Sequence, residues 1–262
     1  MFKLFTDLQM NKGTRHGDMA EEDFVIDFNS GNFGDFVESF FAREKNLLAV
    51  RVTTHQFSNL SRGLVKPKAD AFLISDVNLH FVGSLARNLL LTERDLEQFD
   101  GRVIANSGIS IKRPDSTKYQ IHKFTRSSFL TLFGDQYLGA GALIYTDNDS
   151  KRVENRQIIE GWDLSVDQFE STMGARTGIS VADVASDYKR VQRYCLDEIK
   201  RQIISDPRKQ DVVFWGRTTF KSPYAAEYAY INGVLDRATA VDFIVTQGSN
   251  RLCNPTVVVK PR

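Results

Sequence analysis

The residues with the most chemistry in them lie on two short segments. Lys66-Pro67-Lys68-Ala69-Asp70 ends in an acid that opens an apolar run, Ala71-Phe72-Leu73-Ile74. About forty residues on, Ser107-Gly108-Ile109-Ser110-Ile111-Lys112-Arg113 reads as a strand, with Ser110 and Lys112 two apart on one face. An acid and a lysine on adjacent strands suit metal-dependent phosphodiester cleavage. There a carboxylate fixes a divalent cation, further oxygens complete its shell, and a lysine polarises the attacking water or supports the developing charge. Around them, residues 101 to 130 hold Arg102, Lys112, Arg113, Lys118, Lys123 and Arg126 against one acid, Asp115. Phosphate is the anion that such a patch would meet. Singly, each residue has a plainer role: an acid opening a strand caps a turn, and a strand lysine is solvated.

Other chemistries lack their signatures. There is no GxxxxGK[ST] or strand-linked GxGxxG, and no GxSxG elbow. His16, His55, His80 and His122 have no metal-ligand spacing among themselves or with Cys195 and Cys253. Thirty-four basic residues against 33 acidic ones leave a net charge of +1, which excludes a tail-driven polycation and requires any nucleic-acid surface to be local. The two cysteines form no secreted-type framework, and no apolar run is long enough for a membrane helix or an export signal. The expectation is a soluble, cytoplasmic protein.

The elements that must position the candidates follow from periodicity. Residues 15 to 30 read as an acidic, poorly periodic lead-in. Phe33, Phe36, Val37, Phe40 and Phe41 recur at helical spacing, and strands are expected at 46–52 and 69–74. A short helix or insertion fits 86–100. Arg102 to Arg113 and Tyr119 to Phe124 flank the turn-like Pro114-Asp115-Ser116-Thr117-Lys118, predicting a hairpin. A helix is expected at 127–133 and a short strand at 140–145. The clearest helix starts at the cap Ser180 and carries the stripe Val181, Val184, Tyr188, Val191, Cys195, Ile199 and Ile203. Its off-stripe bases read as a solvated face or a DNA-facing one. Strands at 212–219 and 241–247 would enclose a helix at 224–235. The fold class is α/β (α+β): one mixed central sheet flanked by helices, with a C-terminal α/β extension.

Lys68-Ala69-Asp70-Ala71-Phe72, followed by Ser110-Ile111-Lys112, resembles the two halves of the motif of the PD-(D/E)xK nuclease superfamily. Among its members, SIKRPDSTKYQIHKFTRSSF looks like a stretch found in certain type II restriction endonucleases. Ala69 stands where the family often has Pro, and Ser110 where most members have Glu or Asp. The resemblance covers roughly residues 31 to 145. It implies a catalytic core there, with 146–262 as a recognition or dimerisation part packed on the same sheet of a single domain, 1–262. It also implies Mg²⁺ held by Asp70 and the main-chain carbonyl of Ile111, with Glu38 as the acidic residue of the preceding helix and Lys112 placing the water. Ser110 either touches the metal through water or packs within the strand, and Glu38 either joins the site or points to solvent. Gln120 and His122, on an expected neighbouring strand, either complete the site or touch phosphate.

The expected function is thus Mg²⁺-dependent, sequence-specific hydrolysis of double-stranded DNA leaving a 5′-phosphate, as in a type II restriction enzyme. With Ser110 in place of a carboxylate, one metal is expected to bind firmly and a second weakly. Arg217, Lys221, Asn250 and Arg251 are the polar side chains placed to read base edges, with Arg113, Lys118, Lys123 and Arg126 on phosphates. A palindromic target would call for a homodimer, and the family implies a separate cognate methyltransferase. The alternatives are a DNA-binding protein without catalysis, or a nuclease of the same fold in repair or recombination.

Overall fold

A computed structural model describes residues 12–78, 89–98, 101–112, 119–146, 152–248 and 255–262. The chain forms two compact units: Met1–Ser58 with Gly63–Ser116 and Trp215–Thr239, and Asn59–Arg62 with Thr117–Phe214 and Ala240–Arg262. The division does not follow the expected boundary near 145. Residues 215–239 complete the first unit's sheet, while 117–145 belong to the second.

In the first unit, helices α1 (Lys12–Asn29) and α2 (Gly34–Phe41) precede the edge strand β1 (Leu48–Arg51). A two-stranded ribbon, β2 (Gln56–Ser58) and β3 (Gly63–Val65), leads to β4 (Ala71–Ser75). After a 3₁₀ turn at Glu93–Gln98 come β5 (Arg102–Val103) and β6 (Ile109–Ile111), and later β8 (Tyr228–Ile231) and β9 (Val234–Arg237). The sheet order is β1-β4-β6-β8-β9, with β5 also on β4; β6 and β8 run parallel and the other pairs antiparallel. It is a mixed sheet carrying helices, as the sequence predicts.

Alternation builds this sheet. Every residue of β4 is buried, which marks a central strand covered on both faces. Ala71 and Leu73 join a cluster with Phe24, Val25, Phe28, Phe36 and Tyr228, while Phe72 and Ile74 join Leu48, Val50 and Leu91. Much of the high phenylalanine content therefore lies in one aromatic layer under α1 and α2. There Phe24 meets Tyr230 at 4.9 Å and Phe36 meets Tyr228 edge-on at 5.1 Å, ring centre to ring centre. The outer edge of β1 is closed by the Asn29 side chain and, at Arg51, by a backbone bridge to Thr92 and a hydrogen bond to the Leu91 carbonyl. Asn29 accepts from the Ala49 N–H (2.7 Å) and donates to the Ala49 carbonyl (3.0 Å), replacing a missing strand.

The second unit has a three-stranded antiparallel sheet, β10 (Phe243–Gln247), β11 (Val257–Pro261) and β7 (His122–Phe124). Helices α3 (Arg126–Phe133), α4 (Gln136–Leu143), α5 (Arg152–Glu160), α6 (Val166–Thr177), α7 (Val181–Ser186) and α8 (Tyr188–Ser205) accompany it. Their core holds Phe129, Leu138, Trp162, Phe169, Val191, Cys195 and Ile199.

Several expectations are corrected here. The acidic lead-in is helix α1. The 102–124 hairpin does not form, because β6 pairs with β4 and β8, whereas β7 pairs with β11. The expected strand at 140–145 is α4, capped by Asp135 and apolar nearly all round because it is buried. Its Gly139 admits the Trp162 ring: a Cβ there would lie 2.2 Å from it. The helix from Ser180 breaks at Asp187 into α7 and α8, although Val191, Cys195, Ile199 and Ile203 are buried as expected. Asp211–Trp215 is a π-helical turn, not a strand. The helix expected at 224–235 is the hairpin β8–β9, turned by Asn232 and Gly233 with φ of 53° and 83°. Asn-Gly is a strong hairpin signal and defeats the helical reading of the flanking residues.

Gly108 is the tightest point of the sheet. A Cβ there would lie 1.9 Å from the Ala225 carbonyl oxygen and 2.3 Å from that of Pro223, and neither backbone atom can swing aside. Gly108→Ala is expected to cost about 1–3 kcal/mol, read as a lower midpoint in urea. A variant as stable as the parent would mean that this junction is looser than described.

Candidate functional site

Asp70 is the residue just before β4, and it is 7% exposed. Its N–H donates to the Ile109 carbonyl (2.8 Å), which registers β4 on β6. Its Oδ2 accepts from the Ile111 N–H at 2.8 Å and from the Ser110 hydroxyl at 3.3 Å. Lys112 Nζ stands 3.6 Å from the same oxygen. In an extended strand the N–H and C=O of one residue face the same edge, so the Ile111 carbonyl is on the Asp70 side as well. Four of the candidates from the sequence, Asp70, Ser110, Ile111 and Lys112, therefore converge. Ser110 donates its hydroxyl hydrogen bond to Asp70.

Glu38 does not join them. It lies on the exposed face of α2, whose Phe36 and Phe41 take the buried side. Glu21 of α1 holds the position beside Asp70 instead. It is 6% exposed, and its carboxyl is pushed up by burial and then by the Asp70 charge, against the pull of Lys66 and Arg51. Lys66 Nζ lies 2.8 Å from Glu21 Oε1 and 3.7 Å from Asp70 Oδ1, so one ammonium spans the two carboxylates. Burial works to lower the Lys66 ammonium, but Asp70 and Glu21 outweigh it and it is pushed up. Behind Glu21, the Arg51 guanidinium of β1 reaches Asp18 (2.9 Å), Glu21 (3.2 Å) and Glu22 (2.6 Å). Those acids stand at i, i+3 and i+4, one face of α1, with Phe24, Val25 and Phe28 facing the core. That double periodicity was the available signal for Glu21.

Lys68 completes the group. Its stem lies against Gly216, where a Cβ would come within 2.5 Å of Lys68 Cγ. Burial, then the Lys112 charge, pushes its ammonium down to about 7, with Asp70 opposing.

The oxygen donors fit a hard divalent cation such as Mg²⁺. They are two carboxylates, the Ile111 carbonyl and the Ser110 hydroxyl, and a cation, the Lys66 ammonium, already sits between the carboxylates. Among the described residues no three His, Cys, Asp or Glu side chains group as metal ligands. The two carboxylates of the group are Asp70 and Glu21.

The other candidates are not gathered here. Gln120, His122 and Lys123 belong to the second unit, on or beside β7, which pairs with β11 and not with the motif strands. Lys123 is exposed, and the His122 ring lies 4.3 Å from that of Phe124. Arg126 is ion-paired with Asp163, and Arg102 with Glu44 and Asp76, so the basic run is divided between two units and partly neutralised. Arg217 forms a two-pronged pair with Glu227 (2.9 and 2.5 Å) and stacks over Trp215. Lys221 is exposed. Arg113, Lys118, Asn250 and Arg251 lie outside the described residues. No protein-family model and no curated protein matches the chain. Among the described residues, no helix is long and apolar enough to cross a membrane.

Lys68 makes a stability prediction. Its ammonium falls from an ordinary 10.5 to about 7 on folding, so the unfolded chain binds the proton more tightly. The penalty is absent above 10.5, grows as pH falls, and is complete below 7. Lys68→Met is therefore expected to raise the melting temperature by a few degrees at pH 6 and by little at pH 10. Equal gains at both pH values would show that the ammonium is solvated.

Proposed function

We propose that this protein is a Mg²⁺-dependent endonuclease of the PD-(D/E)xK type that hydrolyses double-stranded DNA, with type II restriction as its role. The observation that carries the proposal is the meeting of Asp70 with Ile111, Ser110 and Lys112 across β4 and β6. An acid and a lysine forty residues apart in sequence share one oxygen, in an arrangement that phosphodiester chemistry uses. The edge position of Glu21, on a helix packed against the sheet, supplies the second carboxylate that the family pattern calls for.

In this reading Asp70, Glu21 and the Ile111 carbonyl would hold Mg²⁺, which would supply Lewis-acid chemistry at the scissile phosphate. The hydrogen bond from the Ile111 N–H fixes the Asp70 carboxylate, so its orientation costs nothing at the moment of reaction. Lys112 holds the attacking water and stabilises charge developing on the phosphate oxygens. Water adds to phosphorus, the P–O3′ bond breaks, and the products are a 5′-phosphate and a 3′-hydroxyl. Lys68 and Lys112 together keep the site attractive to a polyanion although it contains two carboxylates. Two carboxylates suit one firmly held metal.

Plasmid digestion with Mg²⁺ or with EDTA, beside Asp70→Asn and Lys112→Ala, tests this. Discrete fragments that require Mg²⁺, with about 10²-fold or greater loss of rate in each variant and gel-shift affinity kept within a few-fold, are expected. Cleavage that survives both substitutions would place the active site elsewhere. A salt-dependent gel shift without any cleavage by the parent protein would make it a DNA-binding protein without catalysis.

A further inference from the structure

We propose that Lys66 is a built-in competitor for the metal: its ammonium occupies the cation position between Glu21 and Asp70, and divalent metal binds by displacing it. The inference rests on the nuclease reading and concerns how that site is filled.

The oxygens of the two carboxylates are divided in a way that singles out one place. Glu21 Oε2 is held by Arg51, and Asp70 Oδ2 by the Ile111 N–H, Ser110 and Lys112. Among the described residues, the remaining oxygens, Glu21 Oε1 and Asp70 Oδ1, both face Lys66 Nζ. A cation entering between the carboxylates must therefore take the place of this ammonium.

Three of the positive side chains around the carboxylates, Arg51, Lys112 and Lys66, differ in how they are held. Arg51 is 13% exposed and locked by three acids, and Lys112 projects from β6 with its side chain 25% exposed. Lys66 lies in the segment after β3, outside any strand, with 55% of its side-chain surface in solvent. Its flexible stem can return the ammonium to water without moving the backbone. The lysine thus sets one positive charge between two neighbouring carboxylates, at the cost of lowering metal affinity by its own attraction to them.

The test is Mn²⁺ binding to the full chain without DNA, followed by the EPR signal of free Mn²⁺. Lys66→Met is expected to bind Mn²⁺ about tenfold or more tightly than the parent, while Lys66→Arg, which keeps the charge, stays near the parent. Asp70→Asn should abolish binding in the parent and the Lys66→Met background alike. Equal or weaker binding by a folded Lys66→Met overturns the competition and leaves the nuclease site standing. Binding that ignores Asp70→Asn overturns the site itself. Where Lys66→Met does not fold, ¹³C-dimethylated parent protein replaces it, with the Lys66 resonance identified by its loss in Lys66→Arg. That resonance should move to a solvated position on adding Mg²⁺, and a resonance that Mg²⁺ leaves unmoved overturns the proposal.

Discussion

A carboxylate at the mouth of a sheet, Asp70, is the constraint around which the first unit is organised. It cannot be buried at 7% exposure without partners, because an isolated carboxylate out of water is too costly to stay ionised. The sheet supplies a backbone N–H from Ile111, and the side chains around it supply Ser110, Lys112 and Lys66. Each of these has its own requirement. Lys66 draws in Glu21, Glu21 needs Arg51, and Arg51 gathers Asp18 and Glu22. One buried charge thus propagates into a network that ties α1 to β1 and β4.

Networks of this kind contribute little net stability, since desolvation offsets most of the attraction, and they are costly to break at one partner, about 3–5 kcal/mol. They do enforce a single arrangement. The apolar layers would accept α1 in several registers; Arg51 accepts the one that puts residues 18, 21 and 22 toward β1. Close packing at Gly108 and the Asn29 closure of β1 constrain the same region sterically. The result is a constrained frame in which Lys66 is more exposed than Arg51 and Lys112, which also pair with Glu21 or Asp70.

The legible parts of this site were those with local signatures. Asp70 opens an apolar run, and Ser110 and Lys112 alternate within another, so strand periodicity put Asp70 at the start of β4 and Ser110 and Lys112 in and just after β6. A short apolar run identified β1, and three-four spacing identified α2 and the buried stripe of α8. The failures have equally specific causes. The family's acidic position on the preceding helix points to Glu38 and leaves it open between the site and solvent; a helix's apolar stripe says only which face is buried, not which neighbouring acid meets a given strand. α4 looked like a strand because a helix buried on nearly all sides loses its polar face, and the periodic signal with it. The basic run at 102–126 looked like one surface, yet sheet pairing separates its ends.

The sequence by itself determined the mixed α/β class and the central strands, because each depends on residues close along the chain or on one-dimensional alternation; the pairing of Asp70 with the Ser110-Ile111-Lys112 segment was an expectation that the family resemblance implied. Only the tertiary structure decided that Glu21 stands beside Asp70, that Lys66 lies between them, and that residues 215–239 complete the sheet. Apart from the Lys66–Asp70 pair, four positions apart, those facts rest on contacts between residues 45 to more than 100 positions apart, made when burial brings distant segments together. Local periodicity contains no record of such distant choices.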